Sequence, residues 1–343
     1  TQKENEMDLK VKVKEKSTGM LSAGAGYSSL DKLFFTAQIR ERNLFGKGYN
    51  VGVRGSFSSR NTNYDIYFWN PSLYNSKLGI GGDIYWKERE YFEYDKESIG
   101  GRVRFSYPLG EFTKLYWNYK LEQYTISEVD KDADEDIQDI KGDNWASAAY
   151  AAISRDTTNR RINPSRGTEN TLSLEYSGGV LGGDDNFIKT IYDTSFYHPL
   201  FWDTVFHWHA KLGYIFENSG EKIPSFERFY LGGMGSIRGY PGDEIAPKYD
   251  NGDYKGGSKE FFTNFEYIFP LNKDLGVNGV LFFDAGNTWD DDESPDMDLY
   301  KSVGPAINWY SPLGLLNFFY GIGLDELDGE KHRKFGFSVG QQF

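Results

Sequence analysis

Residues 205–216 read VFHWHAKLGYIF and alternate with a period of two. That is the period of a β-strand, whose successive side chains point to opposite faces. One face is apolar and the other is polar or small: Phe206, Trp208, Ala210, Leu212, Tyr214 and Phe216 against His207, His209, Lys211 and Gly213. An apolar outside around a polar inside inverts the pattern of a soluble barrel, and it predicts a strand with lipid outside and water inside.

Short turns recur along the chain and define its topology. Five of them combine an aromatic residue with proline, which cannot donate to a ladder and so ends a strand. With two further turns they lie at 43–46, 69–71, 107–109, 163–167, 197–200, 269–271 and 310–313. Acidic loops alternate with them, at 88–96, 128–143, 184–186, 288–298 and 325–331. Seven short turns imply eight hairpins, so the sequence predicts an all-β, antiparallel transmembrane barrel of about sixteen strands, with its acidic loops facing outward.

The composition fits such a barrel and argues against two other classes of protein. Aromatic residues make up 17% of the 343 residues and glycines number 39, a mixture that suits tilted, closely paired strands with aromatic girdles. No apolar run approaches the roughly 20 residues that a membrane-spanning helix needs. The net charge of −13 argues against a nucleic-acid partner, because phosphate binding needs clustered Lys and Arg.

A long glycine-rich connection, 219–258, separates the predicted strands that end near Asn218 and begin near Lys259. Connections of this length are uncommon in compact domains unless they are functional or disordered. Residues 235–240 of this connection read GSIRGY. On the two strands that follow, alternation places Glu266 and Asp284 on the lumen face.

This connection resembles the lid loop of the BamA superfamily, whose hallmark is (V/I)RG(F/Y). Other segments match in the same order: 17–19 with 24–27, 41–48, 166–167, 311–314 and the C-terminal strand. The resemblance implies a loop that folds back into the barrel, with its tip at Ile237, Arg238, Gly239 and Tyr240. It further implies that Arg238 pairs with Glu266 and Asp284; the alternative is an arginine exposed on a mobile loop.

The first and last strands are predicted to form a weak seam. Residues 335–343 read FGFSVGQQF, an alternating strand that ends in phenylalanine. Closure requires 333–343 to pair with 19–28, and interior glycines in both strands weaken a ladder. The resemblance implies a lateral gate here, formed by Gly24, Gly26, Tyr27, Phe337, Val339, Gly340 and Phe343. Alternatively, these glycines only serve barrel curvature.

The resemblance also implies a function: folding and inserting β-barrel proteins into the outer membrane of a Gram-negative bacterium. The first strand would accept a client's last strand by β-augmentation. The implied partners are unfolded outer-membrane β-barrel proteins, membrane lipid and lipopolysaccharide, and accessory lipoproteins that bind periplasmic POTRA domains. Residues 1–16 are predicted to end the last POTRA domain, and 17–343 to form the barrel. No cofactor is implied.

Several alternatives stay open at this point. Within the superfamily, the Gly-x-Gly-Tyr strand and the Asn-Leu-Phe-Gly-Lys-Gly turn favour the BamA branch over TamA, two-partner secretion transporters and organelle homologues. A passive porin-like channel has the same fold. An enzyme is not expected, because the four histidines form no legible Ser/His/Asp arrangement. The acidic runs 130–136 and 290–293 read as solvated loops rather than as divalent-cation sites, and no metal site is expected.

Overall fold

A closed antiparallel β-barrel accounts for most of the chain. The structure, a computed structural model, describes residues 12, 16–28, 32–218, 223–311 and 314–340. Its sixteen strands pair in sequence order and β1 closes on β16, which confirms the predicted fold class. The strands are β1 (Gly19–Ser28), β2 (Lys32–Leu44), β3 (Tyr49–Phe57), β4 (Asn61–Asn70), β5 (Gly79–Glu90), β6 (Asp95–Pro108), β7 (Thr113–Ser127), β8 (Gly142–Asp156), β9 (Gly167–Ser177), β10 (Phe187–Pro199), β11 (Val205–Glu217), β12 (Lys259–Asn272), β13 (Val277–Trp289), β14 (Tyr300–Ser311), β15 (Gly314–Leu327) and β16 (Glu330–Gly340).

The outer surface is an apolar band and the lumen is polar. In β11 the outward Leu212 is 50% exposed, whereas the inward Lys211 forms an ion pair with Glu260 at 2.9 Å. The same alternation runs around the barrel, where the exposed outward residues include Leu21, Ile39, Ile66, Ile84, Ile99, Leu172 and Leu281. Lipid can solvate such a band, whereas water would not. The predicted apolar exterior and polar interior are confirmed.

The seven short turns lie at one end of the barrel and the longer loops at the other, as predicted. Apolar side chains mark the short-turn end, where Phe45 and Trp202 are more than 80% exposed, as in an interfacial girdle. One turn differs from the prediction. Strand β12 continues through Pro270 to Asn272, because a β-bulge between these two residues absorbs the irregularity in the ladder.

Helical structure is confined to the loops. The connection between β7 and β8 contains α1 (Glu135–Asp139), whose first turn is capped by the side chain of Asp134 and which buries Ile137. Three single-turn 3₁₀ helices lie at Leu73–Asn75, Gly179–Leu181 and Ser225–Glu227. Among the residues that the structure describes, no helix is both long enough and apolar enough to cross a membrane.

The seam between β1 and β16 is short. Tyr27 lies opposite Val339, and Ser28 lies opposite Ser338. By contrast, β1 pairs with β2 at ten positions. Pairing of 19–28 with 333–343 was expected, but within the described residues the β1–β16 ladder consists of these two pairs, because the register joins β16 to the C-terminal end of β1.

The predicted gate residues lie at or near this seam. The rings of Tyr27 and Phe337 stack across it, with centroids 5.1 Å apart. Gly340 pairs with Leu315 of β15, and Gly24 pairs with Thr36 of β2. Phe343 lies outside the described residues, as does most of the segment predicted to end a POTRA domain, residues 1–11 and 13–15.

Gly26 is the seam residue at which a side chain has no room. A Cβ atom there would lie 2.2 Å from the carbonyl oxygen of Val339 and 2.3 Å from the ring of Phe34. Overpacking of this kind costs about 1–3 kcal/mol. We expect Gly26→Ala to weaken the seam and to speed amide hydrogen exchange in β1 by at least about fivefold.

The matched control is Gly55→Ala in β3, where a Cβ atom would meet the nearest side chain at an ordinary 3.5 Å. This variant should leave exchange in β1 unchanged. Equal exchange rates in the two variants would contradict the prediction.

Candidate functional site

The connection between β11 and β12, here called the lid, packs on the lumen wall through an apolar cluster. Ile237 and Tyr240 are 0% and 1% exposed. They pack with Leu231 and Ile245 of the lid and with wall residues that include Phe262. Apolar side chains thus hold the predicted motif inside a polar lumen.

Arg238 is buried against two carboxylates. Its Nε and Nη2 donate to the two oxygens of Asp284 at 2.8 and 2.6 Å, and its Nη1 donates to Oε1 of Glu266 at 2.6 Å. The backbone N–H of Arg238 also donates to Asp284, at 3.0 Å. The guanidinium carbon lies 3.7 Å from the centroid of the Phe282 ring, a cation–π contact. The structure therefore brings together the three charged residues named from the sequence.

Polar neighbours hold these carboxylates in place. The Asn264 amide donates to Asp284 at 2.8 Å and to the backbone carbonyl of Ser236 at 2.7 Å. His207 Nδ1 lies 2.9 Å from Oε2 of Glu266, the oxygen that Arg238 does not use. Because each acceptor is oriented by a further hydrogen bond, the ion pair has the fixed geometry that a buried charge needs.

Gly239 and Tyr240 join the lid tip to β15. Gly239 has φ +104°, which favours glycine, and a Cβ atom on it would lie 3.1 Å from the Gly323 nitrogen. A Cβ atom on Gly321 would in turn lie 2.4 Å from the Gly239 nitrogen. The Tyr240 hydroxyl lies 3.0 Å from backbone carbonyl oxygens of both β14 and β15, either of which can accept its hydrogen. The tip therefore contacts β12 to β15, and β15 is the strand beside the seam strand β16.

Acidic side chains of the run 290–293 form ion pairs with basic side chains of the lid. Arg228 donates to Asp290 at 3.1 Å and to Asp291 at 3.0 Å, and Lys255 donates to Asp290 at 2.5 Å. These ammonium and guanidinium groups, together with hydrogen bonds, hold the pKa of Asp290 below its ordinary value despite burial, which acts in the opposite direction. Within the described part of the chain, no group of three or more His, Asp or Glu side chains is arranged to hold a metal ion.

Several residues of this site were not identified from the sequence. Asn264, Phe282 and the paired role of His207 depend on which lumen residues stand side by side, and this requires the strand register. The contact between the lid tip and β15 could have been predicted from the glycines of β15. Gly321 and Gly323 occur two apart on one face of a strand, which indicates that another backbone approaches closely.

The Arg238 ion pair should dominate the stability of the lid tip. Removing one partner of a buried pair strands the other charge and costs about 3–5 kcal/mol. We expect Asp284→Asn to speed amide exchange over 232–245 at least about a hundredfold. Lys248→Gln is the control, since Lys248 pairs with Asp328 where both side chains are at least 33% exposed. An exposed ion pair stabilises a protein by about 0–1 kcal/mol. Similar increases in amide exchange in the two variants would contradict the prediction that the Arg238 ion pair dominates the stability of the lid tip.

Docking of the lid on the neighbouring loops should depend on pH through Glu93. Burial, reinforced by the charges of Asp253 in the lid and Asp130 in the β7–β8 loop, raises the pKa of Glu93 to about 7. The docked state therefore binds the Glu93 proton more tightly, and docking weakens as the pH rises from about 4.5 to about 7. Intrinsic-rate-corrected amide exchange over 249–254 should quicken across that window.

Glu93→Gln should remove this pH dependence. Asp250→Asn, which changes an exposed lid carboxylate, should retain it. A pH dependence that survives in Glu93→Gln would assign the effect to another group.

The comparisons with known proteins agree with this fold and with one another. The chain is 42% identical to the outer membrane protein assembly factor BamA of Nitratidesulfovibrio vulgaris, covering 100% of this chain and 44% of that protein. It is 26% identical to BamA of Neisseria meningitidis, over 99% of this chain and 49% of that protein. The chain thus spans about half the length of these curated relatives.

A solved structure and a family model also match this chain. The crystal structure of Haemophilus ducreyi BamA lacking POTRA domains 1–3 superposes with a TM-score of 0.87 at 23% identity, covering 96% of this chain and 71% of that one. The model of the Omp85 superfamily domain matches residues 43–343. The chain belongs to the Omp85 superfamily.

Proposed function

We propose that this barrel is the membrane domain of an outer-membrane protein assembly factor, which folds β-barrel proteins and inserts them through a lateral gate between β1 and β16. The observation that carries the proposal is the seam, where β1 holds two described pairs with β16 against ten with β2. Relatives that carry the printed name "outer membrane protein assembly factor BamA" support it.

Backbone hydrogen bonding supplies the mechanism. In hydrocarbon each unpaired backbone group costs several kcal/mol, so a client strand cannot enter lipid alone. Once the seam opens, the free edge of β1 can pair with a client strand, since main-chain bonds give affinity with little demand on sequence. Each added client strand then offers the next edge. No covalent bond is made or broken, and the proposal includes no enzymatic step and no cofactor.

The setting follows from this function. We place the barrel in the outer membrane of a Gram-negative bacterium, with lipid and lipopolysaccharide around the apolar band. The short-turn end would face the periplasm, where POTRA domains would precede β1 and bind accessory lipoproteins. Unfolded outer-membrane β-barrel proteins would be the clients. Counting the POTRA repeats in the full-length protein would test the domain arrangement directly.

A disulfide across the seam tests the gate. The chain has no cysteine, so only an engineered pair can form a bond. Tyr27→Cys with Val339→Cys joins residues that lie directly opposite each other. In the full-length protein reconstituted in liposomes, oxidation of this pair should reduce insertion of a urea-unfolded outer-membrane barrel at least about tenfold, because β1 can no longer offer an edge.

The control pair is Tyr119→Cys with Ala149→Cys, which are opposite each other in the continuous β7–β8 ladder. Oxidation of this pair should leave insertion unchanged, and reductant should restore insertion in the seam pair. If the protein with the oxidised seam pair still inserts the client barrel, the lateral-gate proposal is wrong.

A further inference from the structure

The lid has a second set of contacts on the lumen wall, away from the strands that hold Arg238. Residues 223–230 lead from β11 toward the lid tip and include the 3₁₀ turn Ser225–Glu227. This segment reaches β6, β7 and β10, whereas the tip binds β12 to β15. In a barrel of sixteen strands paired in sequence order, β6 and β7 stand across the lumen from β14 and β15.

Phe226 is inserted into an apolar cluster on that wall. Its ring packs edge-to-face on Tyr124 of β7, with centroids 5.3 Å apart, and belongs to the cluster that buries Ile137 of α1. The Lys96 ammonium of β6 lies 3.5 Å from the centroid of the Phe226 ring. The neighbouring Ser225 hydroxyl lies 2.9 Å from the hydroxyl of Tyr94. The segment is thus held by ring packing and a cation–π contact.

Glu227 adds an ionic contact beside Phe226. The Lys189 ammonium of β10 donates to the Glu227 backbone carbonyl at 2.6 Å and to its carboxylate at 3.3 Å. Both side chains are less than 20% exposed. Burial would raise the pKa of Glu227, but the ammonium groups of Lys189, Lys120 and Lys96 bring it below its ordinary value, so the carboxylate stays charged.

The other charges on this wall are arranged as pairs. Lys96 lies 3.7 Å from Glu122, and Lys120 lies 3.6 Å from Glu175. Asp185 accepts a hydrogen bond from Tyr124 at 2.5 Å. The lid therefore contributes a carboxylate to a wall where each lysine faces a carboxylate, and withdrawing it would leave Lys189 without its lid partner in a half-buried site.

We propose that Phe226 and Glu227 are positioning residues that anchor the lid to the wall formed by β6, β7 and β10. The lid is then fixed to the lumen wall at separate places, by Phe226 on β6 and β7, by Glu227 on β10 and by Arg238 on β12 and β13. An anchor at Arg238 alone would not fix this segment, because a flexible chain between two points samples many paths. Phe226 and Glu227 also line a lumen cavity of about 990 Å³, so displacing them would widen the open lumen.

Amide hydrogen exchange in the full-length protein tests this second anchor. Glu227→Gln and Lys189→Gln should each speed exchange over 223–231 at least about tenfold, since each strands the partner charge. The double variant should exchange no faster than the more affected single variant, because the two side chains form one pair. Glu227→Asp, which keeps the charge, should recover most of the protection.

Asp250→Asn is the matched control, because it removes an exposed carboxylate from the same loop. Heat-dependent electrophoretic mobility reports whether each barrel is folded, and Phe226→Leu probes the anchor without changing any charge. Wild-type exchange in Glu227→Gln and Lys189→Gln, or an equal change in Asp250→Asn, would overturn the second anchor. Because the readout is exchange within the lid, the result does not depend on the assembly activity proposed above.

Discussion

Backbone pairing in lipid is the constraint on which this structure depends. A strand in hydrocarbon must hydrogen-bond along both edges, and only closure of the sheet provides this for every strand. Fifteen of the sixteen strand-to-strand ladders meet the constraint over eight or more described pairs, and the β1–β16 ladder meets it with two. Among the described pairs, the β1–β16 ladder is therefore the weakest part of the closure.

The lumen imposes a different constraint on the lid. A barrel interior of this kind is largely polar, so the apolar cluster around Ile237 and Tyr240 needs support from polar contacts. Arg238 satisfies this constraint with a bidentate contact to Asp284 and a second contact to Glu266. A guanidinium suits the position because its planar fork matches carboxylate geometry, which a lysine ammonium cannot do. Charge-assisted bonds thus reinforce the small apolar cluster that packs the lid on the wall.

The sequence predicts those features that depend on alternation and on turn chemistry. It gives the strand number, the lumen face of Glu266 and Asp284, and the position of the lid. It does not give the seam register, because a slip of two residues between β1 and β16 leaves the same side chains facing lipid. The contacts of Phe226 and Lys189 could not be predicted from the sequence either, because they join residues that are distant in sequence and meet only after the barrel closes.

The two constraints meet on β15. The Gly239 backbone lies against Gly321 and Gly323, and β15 in turn pairs with β16 along the seam. Glycine is what permits this approach, since a Cβ atom on Gly321 would lie 2.4 Å from the Gly239 nitrogen. A lid held by Arg238 and packed against β15 would limit how far that strand can move inward. The lid tip thus touches a strand of the last hairpin, and backbone atoms of both segments make the contact.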